Sequence, residues 1–190
     1  CSLQSNFPII PWHYGSTLKD ILSAAWLSLC WYLTPEKMQG TAKIDGIDLD
    51  LVFNNEIETN LRSGHVFGSL WLFNSSKSLS KQIRATACVV PYENRSWEKM
   101  IFQGFRTQSD PIRVVGYHHA AVSPAHTNML LGANESQVIP LPDAVVMTGE
   151  VTKEILEESG NYPKNTIKAG CALRRGRKTQ EPQPTKSRSP

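Results

Sequence analysis

Apolar residues recur at helical spacing through the first part of the chain. Within residues 16–33 they fall at positions 18, 21, 22, 25, 26 and 29, behind a Ser-Thr pair suited to capping a helix. We therefore predict a buried helix that ends before Pro35. A second helical pattern runs over residues 56–73, although Gly64 and Gly68 disfavour a helix there.

The pattern changes after residue 84, where short apolar runs alternate with helical spacing. A continuous apolar run such as residues 85–90 is typical of a strand buried on both faces. Two βαβ units are expected, which predicts an α/β fold with a Rossmann-like parallel sheet and flanking helices. The predicted order is strand 85–90, helix 96–107, strand 112–117, irregular segment 118–142, strand 144–147, helix 151–159 and strand 167–172.

The chain divides into three parts by composition. Residues 1–84 are the mainly helical part of one domain, residues 85–173 are its Rossmann-like part, and residues 174–190 are a basic tail. The tail lacks apolar residues and is expected to be disordered. It carries six Lys and Arg against one Glu, so the rest of the chain carries −2 of the formal +3. A slightly acidic folded part does not indicate a nucleic-acid partner.

The spacing of the cysteines and the length of the apolar stretches indicate the cellular compartment. The four cysteines stand far apart and form no CxxC pair, which is typical of thiols in a reducing compartment. The longest apolar stretch, residues 21–33, is interrupted by Ser23 and Ser28 and is too short to span a bilayer. We therefore expect a soluble protein without a disulfide framework.

Polar residues follow the ends of the predicted strands. Parallel strands joined by right-handed crossovers place their carboxyl ends along one edge of the sheet, where open α/β sheets bind ligands. A histidine or a carboxylate at such an edge can act as a general base toward a hydroxyl group. The residues expected at this edge are Tyr92, Glu93, Asn94, Tyr117, His118, His119, Thr148 and Gly149.

Several of these residues also have a plainer interpretation. His118 or His119 could instead cap a strand end through backbone hydrogen bonds, and at most one of them is expected to be central. Gly149 precedes a helix whose first amides could receive an anion, or it simply turns the strand into the helix. His126 lies seven positions beyond His119, but that spacing fits no standard zinc pattern, so no metal is expected. No dinucleotide or phosphate-loop motif occurs, and no cofactor is implied.

Short motifs in the second half of the chain follow one another in a distinctive order. They are Tyr-Glu-Asn-Arg-Ser-Trp-Glu-Lys at 92–99, Val-Gly-Tyr-His-His-Ala at 115–120, Leu-Pro-Asp at 141–143, Thr-Gly at 148–149, Gly-Asn-Tyr-Pro at 160–163 and Gly-Cys-Ala-Leu-Arg at 170–174. In this order and spacing the chain resembles bacterial surface-carbohydrate biosynthesis proteins. That family is similar to glycosyltransferases of the two-domain GT-B type. The resemblance covers residues 86–174.

The resemblance implies transfer of a sugar from a nucleotide-activated donor to a capsule, lipopolysaccharide or related glycan. The acceptor would be a glycan or a lipid-linked glycan, at the cytoplasmic face of the membrane and with peripheral membrane association. In GT-B enzymes the amino-terminal domain holds the acceptor, and a second Rossmann-like domain binds the donor. Carried onto this sequence, Glu93, His118 and His119 become candidates for catalysis. Substrate-binding candidates are Tyr92, Asn94, Tyr117, Thr148 and Gly149.

The chain departs from the family pattern after Leu173, where the donor domain is expected to begin and the hydrophilic tail stands instead. We therefore expect a truncated or frame-shifted product that is inactive alone, from a parent that is an enzyme. Two alternatives stay open. One is a non-catalytic module that binds a glycan or a nucleotide. The other is a GT-B protein that transfers a polyol phosphate from a CDP-alcohol.

Overall fold

A computed structural model of the chain describes residues 12–34, 43–108, 110–120, 122 and 127–171. Within these ranges the chain forms five α-helices, a short antiparallel hairpin and a four-stranded parallel sheet. The predicted α/β class is therefore confirmed, and the sheet is consistent with a Rossmann-like arrangement. His126 and the tail at 174–190 lie outside the described residues.

Helices make up most of the described first half, and parallel strands alternate with helices in the second. The strands β4 and β5 and the helix α4 coincide with their predicted positions to within one residue. The elements are α1 Leu18–Leu33, β1 Lys43–Ile44, β2 Ile47–Asp48, α2 Asp50–Arg62, α3 His65–Gln82, β3 Ala87–Pro91, α4 Ser96–Arg106, β4 Arg113–Tyr117, β5 Ala144–Met147, α5 Glu150–Ser159 and β6 Ile167–Ala169.

The single helix predicted over residues 56–73 is wrong, because two helices occupy this region. α2 ends at Arg62 and α3 begins at His65. Between them Gly64 has a φ of +77°, in the left-handed region that glycine adopts without strain. The glycine that weakened the helical pattern is therefore the residue at which the chain starts a new helix.

The parallel sheet has the strand order β3-β4-β5-β6, which is also their order in the chain. Each crossover thus advances by one strand in the same direction, and right-handed crossovers then place the connecting helices on one face. The core lies between that face and the helices α4 and α5. The sheet contributes Val90, Val114, Val145, Met147 and Ile167, and the helices contribute Ile101, Phe102, Phe105 and Leu156.

The opposite face of the sheet is partly exposed. Val89 on β3 is 67% exposed, and Val115 and Val146 on the next two strands are only partly buried. The prediction that the first strand is buried on both faces is therefore wrong. The reason is that β3 is an edge strand with one neighbour, and the described helices cover one side of the sheet.

The helices α3 and α4 pack closely through small residues. A Cβ atom on Gly104 would lie 2.5 Å from the Ser76 Cβ and 2.6 Å from the Phe73 carbonyl oxygen. Glycine at this position therefore sets the distance between the two helix axes. Trp97, at the first turn of α4, is 38% exposed.

The first helix begins as predicted but does not lie in the core. The Thr17 hydroxyl accepts from the Asp20 amide at 3.2 Å, and the Asp20 carboxylate accepts from the Thr17 amide at 2.8 Å, which is a capping box. Ala24 is nevertheless the one fully buried residue of α1. The prediction of a buried helix is wrong because the large apolar side chains of α1 face outward.

Candidate functional site

The ends of β3, β4 and β5 bring the candidate residues to one edge of the sheet. Register pairs Pro91 with Tyr117 on the neighbouring strand, and Tyr117 with Val146 on the strand after it. Past these pairs the Tyr92 amide donates to the Tyr117 carbonyl at 3.0 Å, and the His118 amide donates to the Val146 carbonyl at 2.9 Å. The ladder therefore continues one residue beyond the strands and fixes the backbone beneath the candidate side chains.

His118 is the most constrained side chain at this edge. It is 3% exposed, and its Nδ1 lies 2.8 Å from the Tyr92 carbonyl oxygen. Since a carbonyl oxygen only accepts, Nδ1 carries a proton and donates it to this oxygen. Nε2 is buried without a hydrogen-bond partner among the residues that the structure describes. An unsatisfied buried acceptor costs about 1–3 kcal/mol.

His118 makes the capping contact that the sequence allowed for, since its Nδ1 caps the end of β3 through the Tyr92 carbonyl. Its Nε2 has no hydrogen-bond partner in the described part of the chain. His119 is exposed, and its ring centroid lies 6.3 Å from that of His118. The two histidines thus differ in environment, with one held inside the edge and the other open to solvent.

The turn after β3 is built around a buried carboxylate, Glu98. Its oxygens accept from the Glu93 amide at 3.0 and 3.1 Å and from the Arg95 amide at 3.0 Å. Burial raises the pKa of Glu98, although these amide hydrogen bonds oppose the rise. Asn94, which lies between Glu93 and Arg95 in the chain, has a φ of +59°, and asparagine tolerates this conformation. Glu98 therefore organises the turn that presents Glu93 and Asn94.

Two asparagines tie this turn to a distant segment. The Asn94 side-chain amide donates to the Asn128 carbonyl, and the Asn128 side-chain amide donates to the Glu93 carbonyl, both at 2.7 Å. Asn94, expected to bind substrate, is thus engaged in holding the turn in place. Asn128 was missed because nothing in the local pattern signals a partner 34 positions away.

Tyr92 is the first residue after β3 at this edge of the sheet. It is fully buried over Gly116, where a Cβ atom would lie 2.9 Å from the Tyr92 Cβ. Its hydroxyl donates to the Asn94 side-chain oxygen at 3.3 Å and lies 3.1 Å from the Tyr162 hydroxyl. Burial raises the pKa of Tyr162 to about 12. The glycine of the Val-Gly-Tyr-His motif is therefore required by the ring that packs on it.

The remaining candidates mainly hold loops. The Tyr117 hydroxyl donates to the Cys171 carbonyl at 2.9 Å, and the Thr148 hydroxyl donates to the Ala120 carbonyl at 3.2 Å. Gly149 has a φ of +148°, a conformation that favours glycine, directly before α5. Of the two interpretations of Gly149, the structure shows the turn into the helix.

Glu93 is the exposed acid of the edge. Its carboxylate lies 3.4 Å from Nε of Arg95, and its side chain is 39% exposed. At such exposure an ion pair contributes little to stability. Glu93 and His119 are therefore open to a ligand, while His118 lies inside the edge.

A groove lies next to this edge, between the α2–α3 junction and the first turn of α4. Its volume is about 580 Å³, within the range of small-ligand sites. None of its lining residues is acidic, and most can donate a hydrogen bond. The polar and aromatic lining consists of Asn60, Ser63, His65, Ser69, Arg95, Ser96 and Trp97.

Over the described ranges, no cluster of three or more His, Cys, Asp and Glu side chains is arranged to hold a metal ion. In the same part of the chain, no helix has the length and apolar character needed to cross a bilayer. Comparison with known proteins finds no matching family model, no matching curated protein and no matching solved structure.

Proposed function

We propose that this chain is the acceptor-binding half of a GT-B glycosyltransferase that extends a bacterial surface glycan at the cytoplasmic face of the membrane. The observation that carries the proposal is His118, with Nδ1 fixed on a backbone carbonyl and Nε2 free, at the carboxyl edge of a parallel sheet. The resemblance of the motifs at 92–99 and 115–120 to surface-carbohydrate proteins supports the same assignment.

In this proposal His118 is the general base. Its Nε2 takes the proton of an acceptor hydroxyl as the hydroxyl oxygen bonds to the anomeric carbon of the donor sugar. The bond from that carbon to the nucleoside diphosphate breaks, and its electron pair leaves with the diphosphate. The Tyr92 carbonyl, 2.8 Å from Nδ1, stabilises the imidazolium that forms. Because Nε2 is buried, this role requires the edge of the sheet to open to the acceptor.

The groove beside α4 suits the rest of the acceptor. Arg95 both lines the groove and lies beside Glu93, so an acceptor seated there would extend toward the strand ends. The side chains of Ser63, Ser69 and Asn60 offer hydrogen bonds to sugar hydroxyls, and the Trp97 indole offers an apolar surface. A pocket with scattered donors and one aromatic ring fits a carbohydrate better than an apolar ligand.

The test is sugar transfer by a protein that contains both domains. We expect His118→Gln to lower kcat by about 10²- to 10⁴-fold, the usual contribution of a general base, with acceptor binding retained. His119→Ala, at the exposed neighbour, is the matched control and should lower kcat far less.

Because the donor belongs to the second domain in a GT-B enzyme, the 190-residue chain should bind acceptor without turnover. Turnover of a nucleotide sugar by the isolated chain, or an unchanged kcat in His118→Gln, would contradict the proposal. Transfer from CDP-glycerol in place of a nucleotide sugar would favour the CDP-alcohol alternative.

A further inference from the structure

Helix α1 presents its large apolar side chains to solvent. Leu18 is 72% exposed, Trp26 66% and Leu33 67%. These residues lie on one side of the helix with four others, and we call the seven the α1 outer face. Its members are Leu18, Ile21, Leu22, Trp26, Leu29, Tyr32 and Leu33.

The side of α1 opposite the outer face is held by polar contacts near its N-terminus. It meets α3, where the Asn74 side chain donates to the Asp20 carbonyl at 3.0 Å and the Ser78 hydroxyl donates to the Asp20 carboxylate at 2.8 Å. Just before the helix, the Ser16 and Ser75 hydroxyls lie 2.5 Å apart. This contact fixes the orientation of α1, so the apolar side cannot turn inward without breaking it.

The spacing of the outer face suits pairing with another helix. Leu18, Leu22, Ala25, Leu29 and Tyr32 follow alternating steps of four and three residues, which is the repeat of a helix–helix seam. The exposed fractions of the seven outer-face residues correspond to roughly 800 Å², taking about 200 Å² for each large apolar side chain. About 800 Å² is what each partner contributes to a stable interface of standard size.

The charges around the outer face disfavour a lipid surface. Helices that bind anionic membranes carry Lys and Arg around their apolar face. Helix α1 and its neighbour α2 together carry Lys19 and Arg62 against Asp20, Asp50, Glu56 and Glu58. Arg62 is moreover paired with Glu58. A surface with this balance is repelled by anionic lipid and fits an uncharged apolar partner.

We propose that the α1 outer face is the interface between two copies of this chain. The centre of α1 falls at Ala25 and Trp26, so two α1 helices related by a two-fold axis cross there antiparallel. The same seven side chains then meet on both sides, as a two-fold interface requires. This inference does not depend on the function of His118.

The test is the mass of the full chain by sedimentation over a range of micromolar concentrations. We expect a dimer of twice 21.2 kDa that dissociates on dilution. Leu22→Glu with Leu29→Glu should leave a monomer at every concentration, with the melting temperature of wild type diluted to its monomeric range, because both side chains are exposed in the single chain. Val138→Glu with Val151→Glu, at exposed apolar positions elsewhere, is the control and should still dimerise.

A disulfide probe covers the case in which the glutamate variant fails to fold. In a background with Cys1, Cys30 and Cys171 changed to Ser, Ala25→Cys should cross-link two chains on mild oxidation, while the background alone should not. A wild-type chain that stays monomeric, a glutamate variant that still dimerises, or a monomer that instead binds anionic vesicles through α1 would overturn the proposal.

Discussion

At the residue scale, the candidate edge depends on polar groups whose partners are backbone atoms. His118 and Glu98 are both almost fully buried, and each is held by main-chain groups of the turn that follows β3. The Glu98 oxygens accept from backbone amides, while one ring nitrogen of His118 has no hydrogen-bond partner among the described residues. Glu98 therefore stabilises the turn, and we propose that the unpaired His118 nitrogen acts as a base.

Glu98→Gln should destabilise the fold by about 1–3 kcal/mol at pH 7, because the new NH₂ group faces amides that need an acceptor. The pH dependence has a definite sign. Burial raises the pKa of Glu98 above its usual 4.5. The contribution of Glu98 to the free energy of unfolding is therefore full below pH 4.5 and is lost as pH rises through the folded-state pKa. Urea denaturation should therefore show a difference in free energy of unfolding between wild type and variant, and this difference should grow from pH 7 to pH 4.

Glu154→Gln, at an exposed position on α5, is the control and should change stability little at any pH. A difference for Glu98→Gln that stays constant or narrows on acidification would show that the Glu98 carboxylate is not buried against the turn.

At the scale of elements, the spacing of apolar residues predicted α4, β4 and β5. It succeeded there because those apolar residues pack into the hydrophobic core. It failed for α1, which meets α3 through hydrogen bonds of Asp20 and whose large apolar side chains, including Leu27 and Trp31, stay exposed. The pattern also could not reveal Asn128 or Tyr162, whose partners at the candidate edge are distant in sequence. Sequence spacing thus located the edge, while its supporting contacts required the tertiary structure.

The packing of α3 on α4 predicts opposite effects for the same substitution at two glycines. Gly104→Ala should destabilise the fold by about 1–3 kcal/mol, because the added methyl group collides with Ser76 and Phe73. Gly68→Ala, within α3, meets nothing within 4 Å and should stabilise it by about 0.5–1 kcal/mol through helix propensity. Thermal and urea denaturation would measure the change in stability of each variant. A change in the same direction for both variants would contradict the described helix packing.

At the scale of the whole molecule, one layer of helices covers one face of the parallel sheet within the described ranges. The α1 outer face and the open side of the sheet, marked by Val89, are both apolar and uncovered. No residue of α1 lines the groove beside α4. Pairing through the α1 outer face would therefore not use the residues that line this groove.

The most direct test of the central claim is an NMR titration of the histidine rings in the 190-residue chain. Surface-glycan oligosaccharides should shift the ring signals of His118 and also those of His65, which lines the groove proposed for the acceptor. In His118→Gln the His65 response should persist, because acceptor binding is retained, and nucleotide sugars should shift neither ring. If nucleotide sugars move the His118 signals, or if no glycan does, the chain is not the acceptor half of a glycosyltransferase.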